Sequence, residues 1–109
     1  MENLQVARCD QSETVKYSLL LEGAEVGYGY VFDRDINPIE IYIYEQYRSN
    51  GYGKYLFSQL ARIAKDRGVA SMIFEVPESN YRFITIIGQL GAVRLGSDGF
   101  IVKFLLKLP

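Results

Sequence analysis

The sequence predicts an α/β (α+β) domain with a mixed, mostly antiparallel sheet, a central βαβ unit, two helices and a C-terminal β-hairpin. One reason is the length, because 109 residues suit a single domain, which we expect to span 1–109. Another is that most apolar residues recur with period two, as they do in strands. Two segments, 53–67 and 80–90, carry helical spacing instead.

The N-terminal half of the chain contains four strand-like segments. Leu4 and Val6 allow a short strand before a polar turn at 10–13. The segments 14–21 and 26–33 predict an antiparallel hairpin, and 39–45 is typical of a central strand because both of its faces carry apolar or aromatic residues. In 26–33 we expect Val26, Tyr28, Tyr30 and Phe32 on one face and Gly27, Gly29 and Val31 on the other. In 39–45 the expected faces are Ile39, Ile41 and Ile43 against Glu40, Tyr42 and Tyr44.

The C-terminal half begins with the clearest helix, 53–67, which Gly68 can end. A strand at 70–77 follows, so a βαβ unit is expected, with parallel pairing of 39–45 and 70–77 and a right-handed crossover. Segment 80–90 combines β-branched residues with helical spacing; Ser79 can cap it and Gly91 can end it, so we expect a helix. The strands 92–96 and 100–108 form a hairpin, and the second should bury Phe100, Val102, Phe104, Leu106 and Leu108.

Composition excludes several functions. Twelve Lys and Arg against 13 Asp and Glu leave a net charge of −1, so no basic field attracts nucleic acid or an acidic membrane. Cys9 is the only cysteine and there is no histidine, which removes disulfides, Ser–His and Cys–His pairs and the commonest metal ligand. The start of the chain does not read as a signal peptide, and no apolar run could span a membrane, so we expect a cytoplasmic protein.

The segment 48–54 is the candidate for binding chemistry. It is a glycine-rich turn that opens a helix, where exposed N–H groups and the helix dipole favour a phosphate or pyrophosphate. Arg48 and Lys54 would add positive charge. A plain turn whose glycines only relieve backbone strain is the alternative, and the spacing fits neither a P-loop nor a dinucleotide fingerprint.

The pattern Arg48-x-x-Gly51-x-Gly53 resembles the acyl-CoA pyrophosphate loop of the GCN5-related N-acetyltransferases (GNAT), written [RQ]xxGx[GA]. The order of elements over 14–109 resembles that family too. The resemblance implies acetyl-CoA as cosubstrate, no metal, and a central strand that splays away from 70–77 so that pantetheine lies between them. It implies that the cofactor contacts Ile41, Tyr42, Ile43, Arg48, Ser49, Asn50, Gly51, Tyr52, Gly53, Lys54 and Asn80. Asn80 would lie near the acyl end, although asparagine is also common at the start of a helix.

The catalytic positions depart from the family pattern. The usual glutamate base falls near Asn37, so Glu40 is the nearest candidate base, unless it is only a strand residue paired with a cation. The usual tyrosine acid falls at Ile87; Tyr42 or Tyr44 could substitute, although most tyrosines of small domains serve packing. Cys9 could be acylated, but a lone cysteine near a terminus is usually incidental.

The chain is also short for the family. Only a few residues separate Cys9 from Thr14, where relatives usually carry two helices. The face bearing Glu40, Tyr42 and Tyr44, with Tyr28 and Tyr30 beside them, would then be uncovered, which predicts a homodimer or a protein partner.

The function that the resemblance implies is transfer of an acetyl group from acetyl-CoA to a primary amine, such as a protein amine, by direct attack. One alternative is a non-catalytic acyl-CoA-binding or interaction module. Another is a subunit that is active only in a complex.

Overall fold

The computed structural model describes residues 3–11 and 13–108, in which seven strands and two α-helices form. In chain order they are β1 Leu4–Gln11, β2 Thr14–Leu21, β3 Ala24–Phe32, β4 Pro38–Ile43, α1 Tyr52–Asp66, β5 Ser71–Pro77, α2 Tyr81–Gln89, β6 Val93–Ser97 and β7 Ile101–Lys107. A short 3-10 helix, Glu45–Tyr47, lies between β4 and α1. The mixed α+β class, the two helices and the C-terminal hairpin are confirmed.

The N-terminal strand is longer than predicted. Asp10 and Gln11 continue β1 opposite Val15 and Thr14, so the polar turn predicted at 10–13 was wrong in placing Asp10 and Gln11 outside the strand. Ser12, also assigned to that turn, lies outside the described residues. Because β1 ends at Gln11 and β2 begins at Thr14, no helix separates them.

A β-bulge in β3 interrupts the expected side-chain alternation at Val26. Gly27 lies opposite Leu19, but the next residue of β2, Leu20, lies opposite Glu25, so Val26 is the extra residue. Placing Val26 on the face of Tyr28 was therefore wrong, since Val26 is fully buried while Tyr28 is half-buried.

The strands form two antiparallel sheets, with the orders β1-β2-β3-β4 and β5-β7-β6. The predicted parallel pairing of β4 with β5 was wrong: across the described ranges no backbone ladder joins these two strands. The side chain of Asn37 takes the place of a ladder bond where β5 begins, because its Oδ1 accepts a hydrogen bond from the Ile73 N–H at 2.9 Å. The gap between the strands is the splay that the family resemblance implied.

Both helices pack on one side of the two sheets. The Phe57 ring of α1 lies 5.4 Å from the Phe74 ring of β5 and 5.7 Å from the Phe83 ring of α2. Leu60 of α1 packs against Gly29, where an added Cβ would come within 3.2 Å of Leu60 Cδ1. The structure thus explains a glycine on the covered face of β3, and it leaves the opposite face without a helix among the described residues.

Two details at the helix and strand ends differ from expectation. The cap of α2 is Asn80 rather than Ser79, since Asn80 Oδ1 accepts from the Phe83 N–H at 3.3 Å. Phe100, expected in the core, is 80% exposed. It lies in the β6–β7 turn because the Asp98 carboxylate accepts hydrogen bonds from the N–H groups of Phe100 and Ile101, at 2.9 and 2.8 Å.

Candidate active site

A cleft of about 820 Å³ lies between β4 and α2. Its walls are the end of β4, the loop that leads into α1, and one face of α2. Of the residues predicted to bind a ligand, ten line this cleft: Ile41, Tyr42, Ile43, Arg48, Ser49, Gly51, Tyr52, Gly53, Lys54 and Asn80. Glu40, Tyr44 and Asn50 are not among the lining residues.

The edge of β4 presents backbone hydrogen-bonding groups to the cleft. Tyr44 donates its N–H to the Val26 carbonyl at 3.0 Å, and Tyr42 lies opposite Tyr28 in the ladder. Because successive residues of a strand direct these groups to opposite sides, those of Ile41 and Ile43 point towards β5, from which no ladder reaches them in the described part of the chain. An extended ligand with amide groups can pair with this edge as an added strand would.

The loop before α1 is shaped to expose backbone N–H groups. Gly51, with φ of 79°, is the N-cap of α1, and Ser49 also has a positive φ, of 68°. The first turn of α1 carries no acidic residue that would oppose an anion at the positive end of the helix dipole. Asn50 stabilises the loop, since its side-chain amide donates to the carbonyls of Tyr47 and Arg48 at 3.0 and 3.2 Å.

The Arg48 side chain turns back from this loop across the edge of β4. Its Nε donates to the Ile43 carbonyl at 2.9 Å, and its guanidinium carbon lies 5.1 Å from the centroid of the Tyr42 ring. Sequence reasoning expected Arg48 to add charge beside a phosphate, whereas the structure pairs its guanidinium with a strand carbonyl and an aromatic face.

Two other cations line the cleft. Lys54 lies in the first turn of α1 and Arg82 in the first turn of α2, and neither forms an ion pair or hydrogen bond with another described residue. Sequence reasoning missed Arg82 because it used only the apolar spacing of α2. A signal was present: Tyr81, Thr85 and Gln89 recur every four residues and mark a second, polar face, which lines the cleft.

A smaller hollow of about 250 Å³ lies between the first part of β4 and the end of β5. It shares Ile41, Asn80 and Phe83 with the larger cleft, so the two spaces meet where the strands separate. Glu40 and Glu75 line it from opposite strands. A molecule in this hollow would therefore approach a ligand of the main cleft with carboxylates beside it.

Glu40 is exposed and accepts a hydrogen bond from the Tyr28 hydroxyl at 2.9 Å. This hydrogen bond to the carboxylate, more than partial burial, raises the pKa of Tyr28 to about 12. Tyr28 therefore keeps its proton at neutral pH.

Tyr44 lies on the same face as Tyr28 and donates its hydroxyl to Glu25. That bond raises the pKa of Tyr44 and, together with the Ser18 hydroxyl and Lys16, lowers the pKa of Glu25. Ile87, at the position of the family's usual acid, is fully buried. Among the described residues no Asp or Glu lines the main cleft, but Tyr42 does, together with Tyr47, Tyr52 and Tyr81.

The face of Tyr28, Tyr30, Tyr42 and Tyr44, here called the tyrosine face, carries rings whose centroids lie 5.4 to 6.2 Å apart. Cys9 is exposed on β1, opposite Lys16. The homodimer expected from this face stays a prediction. Among the described residues, no group of acidic or cysteine side chains could hold a metal ion, and no helix is long and apolar enough to cross a membrane.

Comparison with known proteins gives a consistent result. The model of the acetyltransferase (GNAT) family matches residues 7–91, while no curated protein sequence matches significantly. An acetyltransferase from Bacillus subtilis in complex with CoA superposes with a TM-score of 0.83, at 12% identity, over 98% of this chain and 100% of that one.

Two further solved structures are similar to the chain. The IAA acetyltransferase from Bacillus cereus has a TM-score of 0.80, at 12% identity, over 97% of this chain and 100% of that one. The ribosomal-protein-S18-alanine N-acetyltransferase from Escherichia coli has a TM-score of 0.78, at 20% identity, over 91% of this chain and 72% of that one. At these identities the three structures establish a shared fold.

Proposed function

Because the chain belongs to the GNAT family of acetyltransferases, we propose that it transfers the acetyl group of acetyl-CoA to a primary amine. One observation carries the proposal: the backbone edge of β4 and the N-terminus of α1 open onto a single cleft of about 820 Å³. An acyl-CoA is a long molecule with amides at one end and phosphates at the other, which suits this pair of features.

The cofactor would bind in two parts. Its pyrophosphate would accept hydrogen bonds from backbone N–H groups of the 48–54 loop, with Lys54 and Arg82 adding charge for its phosphates. Its pantetheine arm would pair with the edge at Ile41 and Ile43, and the acyl end would reach Asn80. The Bacillus subtilis relative, which holds CoA, supports a cofactor of this class.

The acetyl transfer would proceed by direct attack. The amine nitrogen adds to the thioester carbonyl, the C–S bond breaks, and the CoA thiolate leaves and takes up a proton. A backbone N–H on the edge of β4 would polarise the carbonyl. A thiol of pKa near 8.5 is a tolerable leaving group without a dedicated acid, so an isoleucine at the usual acid position, Ile87, is compatible with the transfer.

The amine must lose a proton before it attacks. A lysine-like amine of pKa about 10.4 costs roughly 4–5 kcal/mol to deprotonate at pH 7. Glu40 lines the smaller hollow, from which an acceptor would reach the acyl end, and this supports Glu40 as the base that we propose for that proton. Glu40 is exposed on a face of the sheet that no helix covers in the described residues, which favours a large acceptor such as a protein amine.

The test begins with calorimetric titration of acetyl-CoA and free CoA, followed by CoA release with a panel of amines. We expect saturable binding and turnover with at least one amine. Glu40→Gln should lower kcat by about a hundredfold or more with unchanged cofactor affinity, since a general base contributes about that much. Glu75→Gln, which changes the other carboxylate of the hollow, is the matched control. Unchanged turnover in Glu40→Gln would remove Glu40 as the base.

A non-catalytic acyl-CoA-binding module is the second candidate. It is favoured by the burial of Ile87 and by the bond that ties the Tyr44 hydroxyl to Glu25. Tight cofactor binding without CoA release for any amine would support this candidate over the transferase.

A further inference from the structure

We propose that Tyr42 is a positioning residue for the cofactor: its ring holds Arg48 across the edge of β4, and Arg48 thereby fixes the spacing between the 48–54 loop and the backbone of Ile43. The inference rests on the proposed binding of acyl-CoA in the main cleft. It assigns to Tyr42 a role for its side chain, beyond the backbone contact expected from the family resemblance.

The contacts of Arg48 form a short bridge. Its Nε bonds the Ile43 carbonyl at 2.9 Å, and its own backbone N–H bonds the Glu45 carbonyl at 3.2 Å. The side chain therefore closes the turn that begins where β4 ends. Without this bridge, the backbone of the 3-10 turn and the Asn50 side chain, which bonds within the loop, would have to set the distance between strand and loop.

Tyr42 is the group that keeps the guanidinium in place. The guanidinium carbon lies 5.1 Å from its ring centroid, within the range of a cation–π contact. The ring is itself supported, because the centroids of Tyr28 and Tyr44 lie 5.7 and 5.9 Å away. Tyr28 and Tyr44 thus support Tyr42, which itself lines the cleft.

A fixed spacing affects ligands differently according to their length. CoA would contact both the loop and the edge of β4, so it gains affinity from a preorganised distance between them. ADP carries the pyrophosphate but no pantetheine arm, so it would contact the loop alone. If Arg48 instead bound the phosphates directly, both ligands would depend on it equally.

The experiment measures CoA and ADP affinities by calorimetry for the wild type, Tyr42→Leu, Tyr42→Phe, Arg48→Lys and the double variant Tyr42→Leu with Arg48→Lys. We expect Tyr42→Leu and Arg48→Lys to weaken CoA binding about two- to fivefold, the usual effect of losing an exposed cation–π contact. ADP affinity should not change. Tyr42→Phe, which retains the ring, should bind CoA normally, and the double variant should be no weaker than the weaker single variant.

Tyr30→Leu is the matched control, because Tyr30 lies on the same face and contacts Tyr28. Its CoA affinity should equal that of the wild type. Thermal unfolding of each variant shows whether it is folded. If Tyr42→Leu does not fold, Arg48→Lys still tests the positioning role.

The outcomes separate the two hypotheses. Failure of the wild type to bind CoA would defeat the proposed function itself. Binding by the wild type with equal affinities for Tyr42→Leu and Tyr30→Leu would overturn the positioning role, as would Tyr42→Phe losing as much affinity as Tyr42→Leu. If Arg48→Lys lost affinity for ADP as much as for CoA, Arg48 would be a phosphate ligand instead.

Discussion

Replacing Gly27 with alanine should destabilise the protein, because the chain packs tightly where β3 meets β4. A Cβ on Gly27 would lie 2.5 Å from Ile43 Cδ1 and 2.7 Å from the Tyr42 carbonyl oxygen. The Ile43 methyl group can rotate away, but the Tyr42 oxygen belongs to the backbone of the neighbouring strand. The strands must therefore move apart, and overpacking of this kind costs about 1–3 kcal/mol.

The assay is thermal or urea denaturation. For a domain of 109 residues, a cost of about 1–3 kcal/mol lowers the Tm by about 4–13 °C. Gly88→Ala is the matched control, since a Cβ there meets nothing within 4 Å; as a glycine inside α2, it should gain about 0.5–1 kcal/mol on replacement. A Gly27→Ala variant as stable as the wild type would refute the close packing of β3 and β4.

The other predictions concern the cleft and one ion pair. Gly53→Asp should abolish CoA binding, because it places a carboxylate at the phosphate site. Gly53→Ala is the control and should fold, since its Cβ would make ordinary contacts of 3.6–3.7 Å. If calorimetry finds that Gly53→Asp retains its affinity for CoA, the loop is not the phosphate site. Arg82→Gln should weaken the binding of CoA about fivefold and the binding of 3′-dephospho-CoA by less, and Arg62→Gln is the control. Equal losses of affinity for the two ligands would exclude a contact between Arg82 and the 3′-phosphate. The pKa of Asp33 is lowered, chiefly by its hydrogen bond to Arg67, so this carboxylate stabilises the fold above its unfolded pKa of about 3.9, and the contribution is lost as the pH falls through the lower folded value. Asp33→Asn should then flatten the pH dependence of the free energy of unfolding below about pH 4, whereas parallel curves for the variant and the wild type would contradict the assignment.

Local patterns were sufficient for most elements. The helical spacing of 53–67 and the alternation in 14–21 depend on neighbours in sequence, and both segments form as predicted within a residue. The loop before α1 was identifiable for the same reason, because Gly51 and the helix start lie within a few residues of each other.

The larger errors involve contacts between distant segments, whereas the cap at Asn80 and the exposure of Phe100 arise from hydrogen bonds within three residues. The bulge at Val26 is fixed by the register of β3 on β2, which no pattern within β3 reveals. Parallel pairing was expected from connectivity alone, but the Asn37 amide bonds the Ile73 N–H where β5 begins, and the strands separate beyond it. Arg48 has a long side chain with several rotamers, so its bond to the Ile43 carbonyl could not be read from its place in a motif.

The separation of β4 from β5 has a consequence for folding in the cell. It leaves two strand edges that no neighbouring strand covers in the described part of the chain, and such edges are sites where proteins misassociate. A bound cofactor would shield the edge of β4 and, at a hundred times its Kd, would add about 2.7 kcal/mol to the free energy of unfolding. The lifetime of the folded chain would then follow the supply of its ligand, so depletion of that ligand would expose the protein to aggregation and proteolysis.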